Sequence, residues 1–361
     1  MLKQLQIFFD FLRFCIGSAK DIPSTLKDAD WKALYRIAQK QCLVGILFDG
    51  IQRLPSSDVG ISRDLLLQWM AQSKMLEKAN VRLNDAAIQV SEWFRKKGFR
   101  TCILKGQGNA LMYPNPYSRT PGDIDIWVEG GDKRVISFVR SISPHEKACY
   151  HHIEFPSYKG VEVEVHYRPS FLLCFWHNRK LQKYYERVKE EQFSHRVMLG
   201  EQGVIAIPTV EFNLIFQLTH IFSHLMNEGI GLRQLLDYYY VLISDDLLLI
   251  RDRVQKELKE LGLWKFAGGI MYIMQEVFGM PASRLIVPPD EKYGRFVLNE
   301  VLEAGNFGRH DERNRFGRSK LGHNLQRVYR DIRLVRYFPA EALCEPIFRT
   351  WHFFWRMKNK K

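Results

Sequence analysis

The feature that most constrains the fold is the stretch 103–126, in which two apolar segments are separated by a glycine turn and a polar loop. The first segment is typical of a β-strand and stops at Lys105-Gly106, and a helix-compatible stretch follows. The second segment contains Asp123 and Asp125, which alternate with isoleucines. Because strand side chains alternate between faces, both carboxylates are predicted on one face, with the isoleucines packed behind them. Two such carboxylates beside a lysine and a glycine turn predict a site for a divalent metal and a phosphate chain.

A third acidic position is expected on a later strand. The run 161–166 alternates strictly between valine and polar residues, so Glu162, Glu164 and His166 are predicted to share one face. An exposed edge strand would show the same alternation. The alternating run, the glycine turn and the Asp-x-Asp segment together favour a phosphoryl-transfer site. The residues alone admit either glutamate as the third carboxylate.

These segments resemble the nucleotidyltransferase superfamily of the DNA polymerase β type. Its pattern is a strand ending in a glycine turn, then hydrophobic-Asp-hydrophobic-Asp, then a carboxylate on a later strand. More narrowly, Leu104-Lys105-Gly106, 119–125 and Glu164-Val165-His166 resemble an uncharacterised bacterial nucleotidyltransferase-like family. The detailed resemblance covers about residues 100–170, with a weaker match at 216–240. The chain departs from the superfamily at Gln107, where a serine or glycine usually follows the turn glycine, so a hydroxyl that would contact phosphate is missing.

The resemblance implies a metal-dependent nucleotidyltransferase that moves a nucleoside monophosphate from an NTP, such as ATP, to a hydroxyl of an unidentified acceptor, a small molecule or a protein. It selects Glu164 as the third carboxylate, so the expected catalytic residues and ligands of Mg²⁺ or Mn²⁺ are Asp123, Asp125 and Glu164. The expected nucleotide-binding residues are Lys105, Gly106, Gln107, Arg119, His166 and Arg233. The alternative is a non-catalytic nucleotide- or polyanion-binding module with the same fold, since a fold does not determine a function.

Hydrophobic periodicity predicts a mixed α+β chain in three parts: an N-terminal helical region at 1–98, a core with a small α/β sheet at 99–204, and a C-terminal helical region with a basic tail at 205–361. The resemblance implies that the middle part is the nucleotidyltransferase core. Ser62 is the predicted N-cap of a long helix that ends at Gly98. Within the core, strands are expected near 99–104, 124–128, 150–155 and 161–167, with a helix over 132–142.

Several histidines lie near these segments. His151 and His152 are predicted on the strand before Glu164, where alternation would direct at most one of them toward the site. His220 and His224 are four residues apart and share a helix face, but the glutamate of a zinc-protease helix is missing. The following helix is expected to bring His220, Arg233 or Asp237 against the nucleotide, unless Arg233 and Asp237 only brace that helix.

The formal net charge is +13, and residues 309–361 contribute +9 of it with 14 Lys/Arg against 5 Asp/Glu. Such a segment attracts polyanions, and a weak polyanion contact through the basic C-terminus is predicted. The alternative is that the charges form a solvated helical face without a partner. The glycine-punctuated stretch 308–322 is predicted to form a loop.

Six scattered cysteines without zinc-type spacing predict reduced core residues in a cytoplasmic protein. The sequence contains no uncharged apolar stretch of roughly 18 residues, so no membrane span is predicted.

Overall fold

The computed structural model describes residues 2–55, 60–201, 203–308, 311, 313 and 320–359. The N-terminal region contains four α-helices: α1 (Leu2–Ile16), α2 (Trp31–Lys40), α3 (Val44–Ile51) and α4 (Arg63–Lys96). The prediction for α4 is confirmed. Ser62 Oγ accepts the Leu65 N–H at 3.4 Å at its start, and Gly98 adopts a φ of +80° after its last turn.

The centre of the fold is a four-stranded mixed sheet. Its strands are β1 (Thr101–Ile103), β2 (Ile124–Val128), β3 (His152–Tyr158) and β4 (Val161–His166), and their order across the sheet is β1-β2-β4-β3. Strand β2 runs parallel to β4, whereas the β1–β2 and β3–β4 pairs are antiparallel. A short helix, α5, follows β1, and α6 connects β2 to β3. The two helices are α5 (Gln107–Ala110) and α6 (Gly131–Ile142). The arrangement confirms the predicted α+β class.

The two faces of the sheet pack against different cores. Ile124 and Ile126 of β2 are buried in a cluster that includes Phe94 of α4. Trp127 lies on the opposite face, in a larger cluster shared with the N- and C-terminal helices. Alternation along β2 therefore buries the isoleucines behind Asp125, as the sequence predicts.

Two parts of the sheet region differ from the expected pattern. Strand β3 spans His152–Tyr158 rather than 150–155, because it continues through Pro156 to a tight turn. The proline is tolerated because β3 is the edge strand next to β4. A hairpin of β5 (Arg196–Leu199) and β6 (Gly203–Ala206) after α7 (Phe175–Ser194) was not predicted.

The C-terminal region is helical, as predicted, and α8 and α9 contribute many residues to the larger core. Apolar residues of α1 and α11 lie in the same core, so the two helical regions pack together. The predicted boundaries at 98 and 204 stay predictions. The helices are α8 (Val210–Asn227), α9 (Leu232–Leu242), α10 (Leu247–Glu260), α11 (Trp264–Glu276), α12 (Glu291–Ala304), α13 (Lys320–Val335) and α14 (Pro339–Lys358).

Some sequence predictions concern the edges of the described chain. Most of the predicted loop at 308–322 lies outside the described residues, namely 309, 310, 312 and 314–319. The six cysteines are all described and form no disulfide with one another. Over the described ranges, no helix is both long enough and apolar enough to cross a bilayer.

Candidate active site

Three carboxylates meet on the face of the sheet opposite the isoleucines. Asp123 precedes β2, Asp125 lies within it, and Glu164 lies on β4. The parallel pairing of the two strands places Asp125 directly beside Glu164. One oxygen from each of the three side chains lies within 4.8 Å of the other two. The structure therefore brings together the three residues that are expected to be catalytic.

Glu162 lies on the same strand, at a cavity that Asp123 borders but Glu164 does not. Its side chain is exposed, and Arg82 and Lys159 line the same cavity. The strand register pairs Asp125 with Glu164, which places Glu162 two residues further along β4. Of the two glutamates, Glu164 is thus the one beside Asp125.

Asp125 is deeply buried, with 3% of its side chain exposed, and two basic groups contact it. Lys105 Nζ lies 2.8 Å and His166 Nε2 lies 2.9 Å from the same oxygen, Oδ1. Burial alone would raise the pKa of Asp125, but Lys105 and His166 hold it well below its usual value. Burial likewise opposes protonation of His166, yet its interactions with Asp125 and Glu164 raise its pKa to about 9. Asp125 is therefore a fixed anion between two counter-charges.

Asp123 shows the opposite shift. The charge of Asp125, followed by burial, raises the pKa of Asp123 to about 6, and Lys105 offsets this only in part. Two carboxylates that compete in this way are relieved by an additional positive charge. The acidic cluster thus favours a cation next to Asp123.

Lys105 reaches the carboxylates because the chain turns at Gly106, where φ is +52°, a conformation that favours glycine. Its Nζ also donates to His220 Nε2 on α8 at 2.8 Å. The next side chain, Gln107, is buried against α4, where its Nε2 donates to Asn84 Oδ1. Gln107 thus directs its side chain toward α4 rather than toward the carboxylates.

Arg119 is held by a buried ion pair. Its Nε and Nη2 each donate at 2.8 Å to a different oxygen of Asp237 on α9, a residue 118 positions later in the sequence. The hydroxyl of Tyr113 donates to the same carboxylate at 2.6 Å. This bidentate pair fastens the loop that precedes Asp123 onto α9.

Arg233 reinforces this attachment, because its Nη1 donates to the backbone carbonyl of Thr120 at 3.0 Å. Arg119, Arg233 and His220 also line one small cavity together with Asp123. The structure thus brings the expected arginines to the acidic cluster from the side of α9. Their contact with a nucleotide stays a prediction.

Histidines are more numerous beside the carboxylates than the sequence predicts. The prediction that at most one of His151 and His152 faces the site is wrong, since both line the cleft that contains Glu164. Strand β3 begins only at His152, so the alternation of a strand does not extend to His151. His151 Nε2 lies 3.0 Å from His152 Nδ1, and burial lowers the pKa of both rings, to about 4 for His152.

The same cleft is open to solvent, has a volume of about 670 Å³ and includes residues of the C-terminal helices. Arg327 of α13 and Arg349 and Arg356 of α14 line it together with Glu164. Sequence reasoning identified the basic C-terminus but did not connect it with the carboxylates. The only sequence signal was charge, which does not specify where a helix packs.

Comparison with known proteins identifies a family. A family model described as "Uncharacterised nucleotidyltransferase" matches residues 27–279, which is more than half of the chain. Among solved structures, the chain is similar to a nucleotidyltransferase-like antigenic protein from Paracoccidioides brasiliensis at 14% identity, over 52% of this chain and 90% of that one. The TM-score of 0.28 is too low for that likeness to support any argument. No curated protein matches the chain.

We expect the two aspartates to have opposite effects on the stability of the metal-free protein. At pH 8, Asp123→Asn should raise the free energy of unfolding by about 1–3 kcal/mol, because the folded pKa of Asp123, about 6, exceeds its ordinary value of 3.8. Asp125→Asn should lower it by about 3 kcal/mol, because Lys105 and His166 lose the negative charge that they share. Urea denaturation in EDTA measures both effects.

The effect of Asp123→Asn should depend on pH. A raised folded pKa leaves the wild-type protein unpenalised below pH 3.8, and the penalty grows as the pH rises through about 6. The stabilisation seen at pH 8 should therefore vanish near pH 4. Glu162→Gln, on the exposed part of β4, is the control. Destabilisation by Asp123→Asn at pH 8 would contradict this account of the cluster.

Proposed function

This chain belongs to the uncharacterised nucleotidyltransferase family, and we propose on that premise that it is a metal-dependent nucleotidyltransferase of the DNA polymerase β type. It moves a nucleoside monophosphate from an NTP, such as ATP, to a hydroxyl of an acceptor. The hydroxyl loses its proton as its oxygen bonds to the α-phosphorus, and the α–β phosphoanhydride bond breaks to release pyrophosphate. The observation that carries the proposal is the cluster of Asp123, Asp125 and Glu164 beside Lys105 and the Gly106 turn.

The donor set fits a hard divalent cation. Carboxylate oxygens are the protein ligands that Mg²⁺ and Mn²⁺ prefer, and Asp123, Asp125 and Glu164 supply three of them within 4.8 Å. The raised pKa of Asp123 reflects negative charge that the neighbouring cations do not balance. Held by these residues, the ion would supply positive charge to the phosphates of the NTP and neutralise the charge that develops during transfer.

Glu164 is suited to the acceptor side of the reaction. About a third of its side chain (34%) is exposed, and it borders the open cleft. Burial opposes its ionisation, but the interaction with His166 holds the pKa of Glu164 below its usual value. An ionised carboxylate in this position can orient an attacking hydroxyl and accept its proton.

The remaining expected residues have roles on the nucleotide side. Lys105 keeps Asp125 ionised and places an ammonium group where triphosphate oxygens would lie. Gly106 and Gln107 would contribute the backbone N–H groups of the turn, because the Gln107 side chain is engaged by Asn84. Support for Arg119 and Arg233 comes from the small cavity that they share with the aspartates, and support for His166 from its contact with Asp125.

We also propose that the basic C-terminus makes a weak contact with a polyanion, and that this contact lies in the catalytic cleft. Arg327, Arg349 and Arg356 line the cleft, and aromatic side chains such as Phe171 and Phe348 border it. Cations beside aromatic rings provide both phosphate contacts and stacking surfaces. An acceptor that carries phosphate would be held by these helices with its hydroxyl toward Glu164.

Replacing Asp123 and Asp125 together by asparagine should abolish metal-dependent binding of the triphosphate, because the ligand charge that retains the ion is lost. Isothermal titration with Mg²⁺ and each NTP measures the affinity, and circular dichroism establishes that the variant is folded. Glu162→Gln is the matched control and should bind like the wild-type protein. Unchanged affinity in the folded double variant would place the nucleotide site elsewhere. Wild-type binding without label transfer from radioactive NTPs to any molecule of a lysate would favour the non-catalytic module.

Glu164→Gln should reduce turnover far more than nucleotide affinity. Asp123 and Asp125 can still chelate the metal when Glu164 is neutral, whereas the group beside the attacking oxygen acts mainly in the transition state. We expect kcat to fall by about 10²-fold or more, in the range of general acid–base catalysis, with the NTP affinity within about threefold. The comparison is Glu162→Gln once an acceptor is known. An inactive Glu162→Gln enzyme beside a nearly normal Glu164→Gln enzyme would move the assignment by two residues.

Polyanion binding should be weak and strongly dependent on salt, because phosphate contacts release counterions. Fluorescence anisotropy with a short single-stranded oligonucleotide, between 50 and 200 mM salt, measures the slope of log K against log [salt]. Arg356→Gln should reduce that slope by about one, and Arg336→Gln, an exposed residue of the same region, is the control. Tight sequence-selective binding that survives high salt would overturn this expectation and identify a nucleic-acid acceptor.

A further inference from the structure

A cluster of imidazole groups adjoins the three carboxylates on the side of the open cleft. We propose that His152, Glu164 and His166 form a site for a zinc-class divalent transition metal, which adjoins the hard-cation site of Asp123 and Asp125 and shares Glu164 with it. One ligand atom from each of the three residues lies within 4.8 Å of the other two. The inference goes beyond the proposed nucleotidyl transfer, in which His152 has no role.

Strand pairing places the two imidazoles together. His152 of β3 and His166 of β4 are direct partners in the antiparallel register, so their side chains emerge on the same face of the sheet. Glu164 lies two residues before His166 and therefore shares that face. No spacing along the sequence reveals this arrangement, because the ligands come from two strands.

The two contacts to Glu164 are longer than hydrogen bonds, whereas His166 Nε2 lies 2.9 Å from Asp125 Oδ1 and His152 Nδ1 lies 3.0 Å from His151 Nε2. A bound ion would replace the protons in these two shorter contacts. His152 Nδ1 and His166 Nε2 each lie 3.4 Å from the same oxygen of Glu164, Oε2. Charge-assisted hydrogen bonds between nitrogen and a carboxylate oxygen are about 2.7–2.9 Å long. A tetrahedral zinc ion with bonds of about 2.0–2.1 Å holds its ligand atoms roughly 3.3–3.4 Å apart. The two contacts to Oε2 have the length of such an edge.

The ligand types favour a transition metal over Mg²⁺. Two imidazoles and one carboxylate, with a fourth position open, is a donor set of catalytic zinc sites. His152, Glu164 and His166 all border the large cleft, so an ion that they held would adjoin the space where a second substrate would lie. An ion there would polarise a hydroxyl group or a water molecule in the cleft.

The surroundings support the same assignment. The second ring nitrogen of His166, Nδ1, lies 3.4 Å from the backbone carbonyl of Arg168, the kind of partner that orients a metal-binding histidine. His151 Nε2 lies 3.0 Å from His152 Nδ1, and Cys149 Sγ lies 3.5 Å from His151 Nδ1. Further nitrogen and sulfur donors are thus adjacent to the three ligands.

Cobalt(II) is a suitable probe, because its visible absorption reports nitrogen coordination. The metal-free full-length protein is titrated with Co²⁺ and then with Zn²⁺, and Mg·ATP affinity is measured separately by calorimetry. We expect a Co²⁺ spectrum that Zn²⁺ abolishes. His152→Gln and Glu164→Gln should each weaken Co²⁺ binding by about tenfold or more, whereas Glu162→Gln and His224→Gln, a histidine of the same cleft, should not change it.

The two metal sites are separated by a crossed comparison. The Asp123→Asn/Asp125→Asn variant should keep the Co²⁺ spectrum and lose Mg·ATP binding. The His152→Gln variant should lose the Co²⁺ spectrum and keep Mg·ATP binding. Loss of the spectrum in the double variant, or its persistence in folded His152→Gln and Glu164→Gln, would overturn the proposal, as would no Co²⁺ binding to the wild-type protein. If circular dichroism shows that His152→Gln is unfolded, Glu164→Gln decides. Failure of Mg·ATP binding with Co²⁺ binding intact would count only against the nucleotidyltransferase proposal.

Discussion

The arrangement of the site depends on an ionised carboxylate buried in the central sheet. Asp125 retains 3% of its side-chain exposure, and an unpaired charge in such a position would cost several kcal/mol. Two basic side chains from the neighbouring strands offset this cost, namely Lys105 from the turn after β1 and His166 from β4. The lysine and the histidine therefore maintain the charge state of Asp125 as well as the shape of the site.

The acidic cluster lies between two basic environments. On one side is the small cavity with Arg119 and Arg233, and on the other is the open cleft with Arg349 and Arg356. Of these two spaces, Glu164 borders only the open cleft. A polyanionic donor and a second substrate could thus approach the same carboxylates from different directions, each accompanied by its own arginines. This asymmetry is consistent with a transfer reaction between two substrates.

The local sequence pattern was sufficient to predict much of the fold and part of the site. The alternation at 124–128 and at 161–166 predicted which side chains are buried and which share a face, and the capping residues predicted both ends of α4. The rest depends on tertiary partners that no local pattern contains. The partner of Arg119 is 118 residues away, and the position of His151 depends on where β3 begins. The strand predicted near 150–155 continues through Pro156 because it lies at the edge of the sheet.

The ion pair between Arg119 and Asp237 has a consequence for biosynthesis. The loop before Asp123 has no α9 to hold it until 118 further residues have been synthesised. At translation rates of about 5–20 residues per second, this interval lasts roughly 6–24 s. Contacts between such distant segments also form late in folding, because the intervening chain must be closed into a loop first. The aspartates therefore leave the ribosome well before the helix that orients them, and a stalled or truncated chain would present the acidic segment without its support.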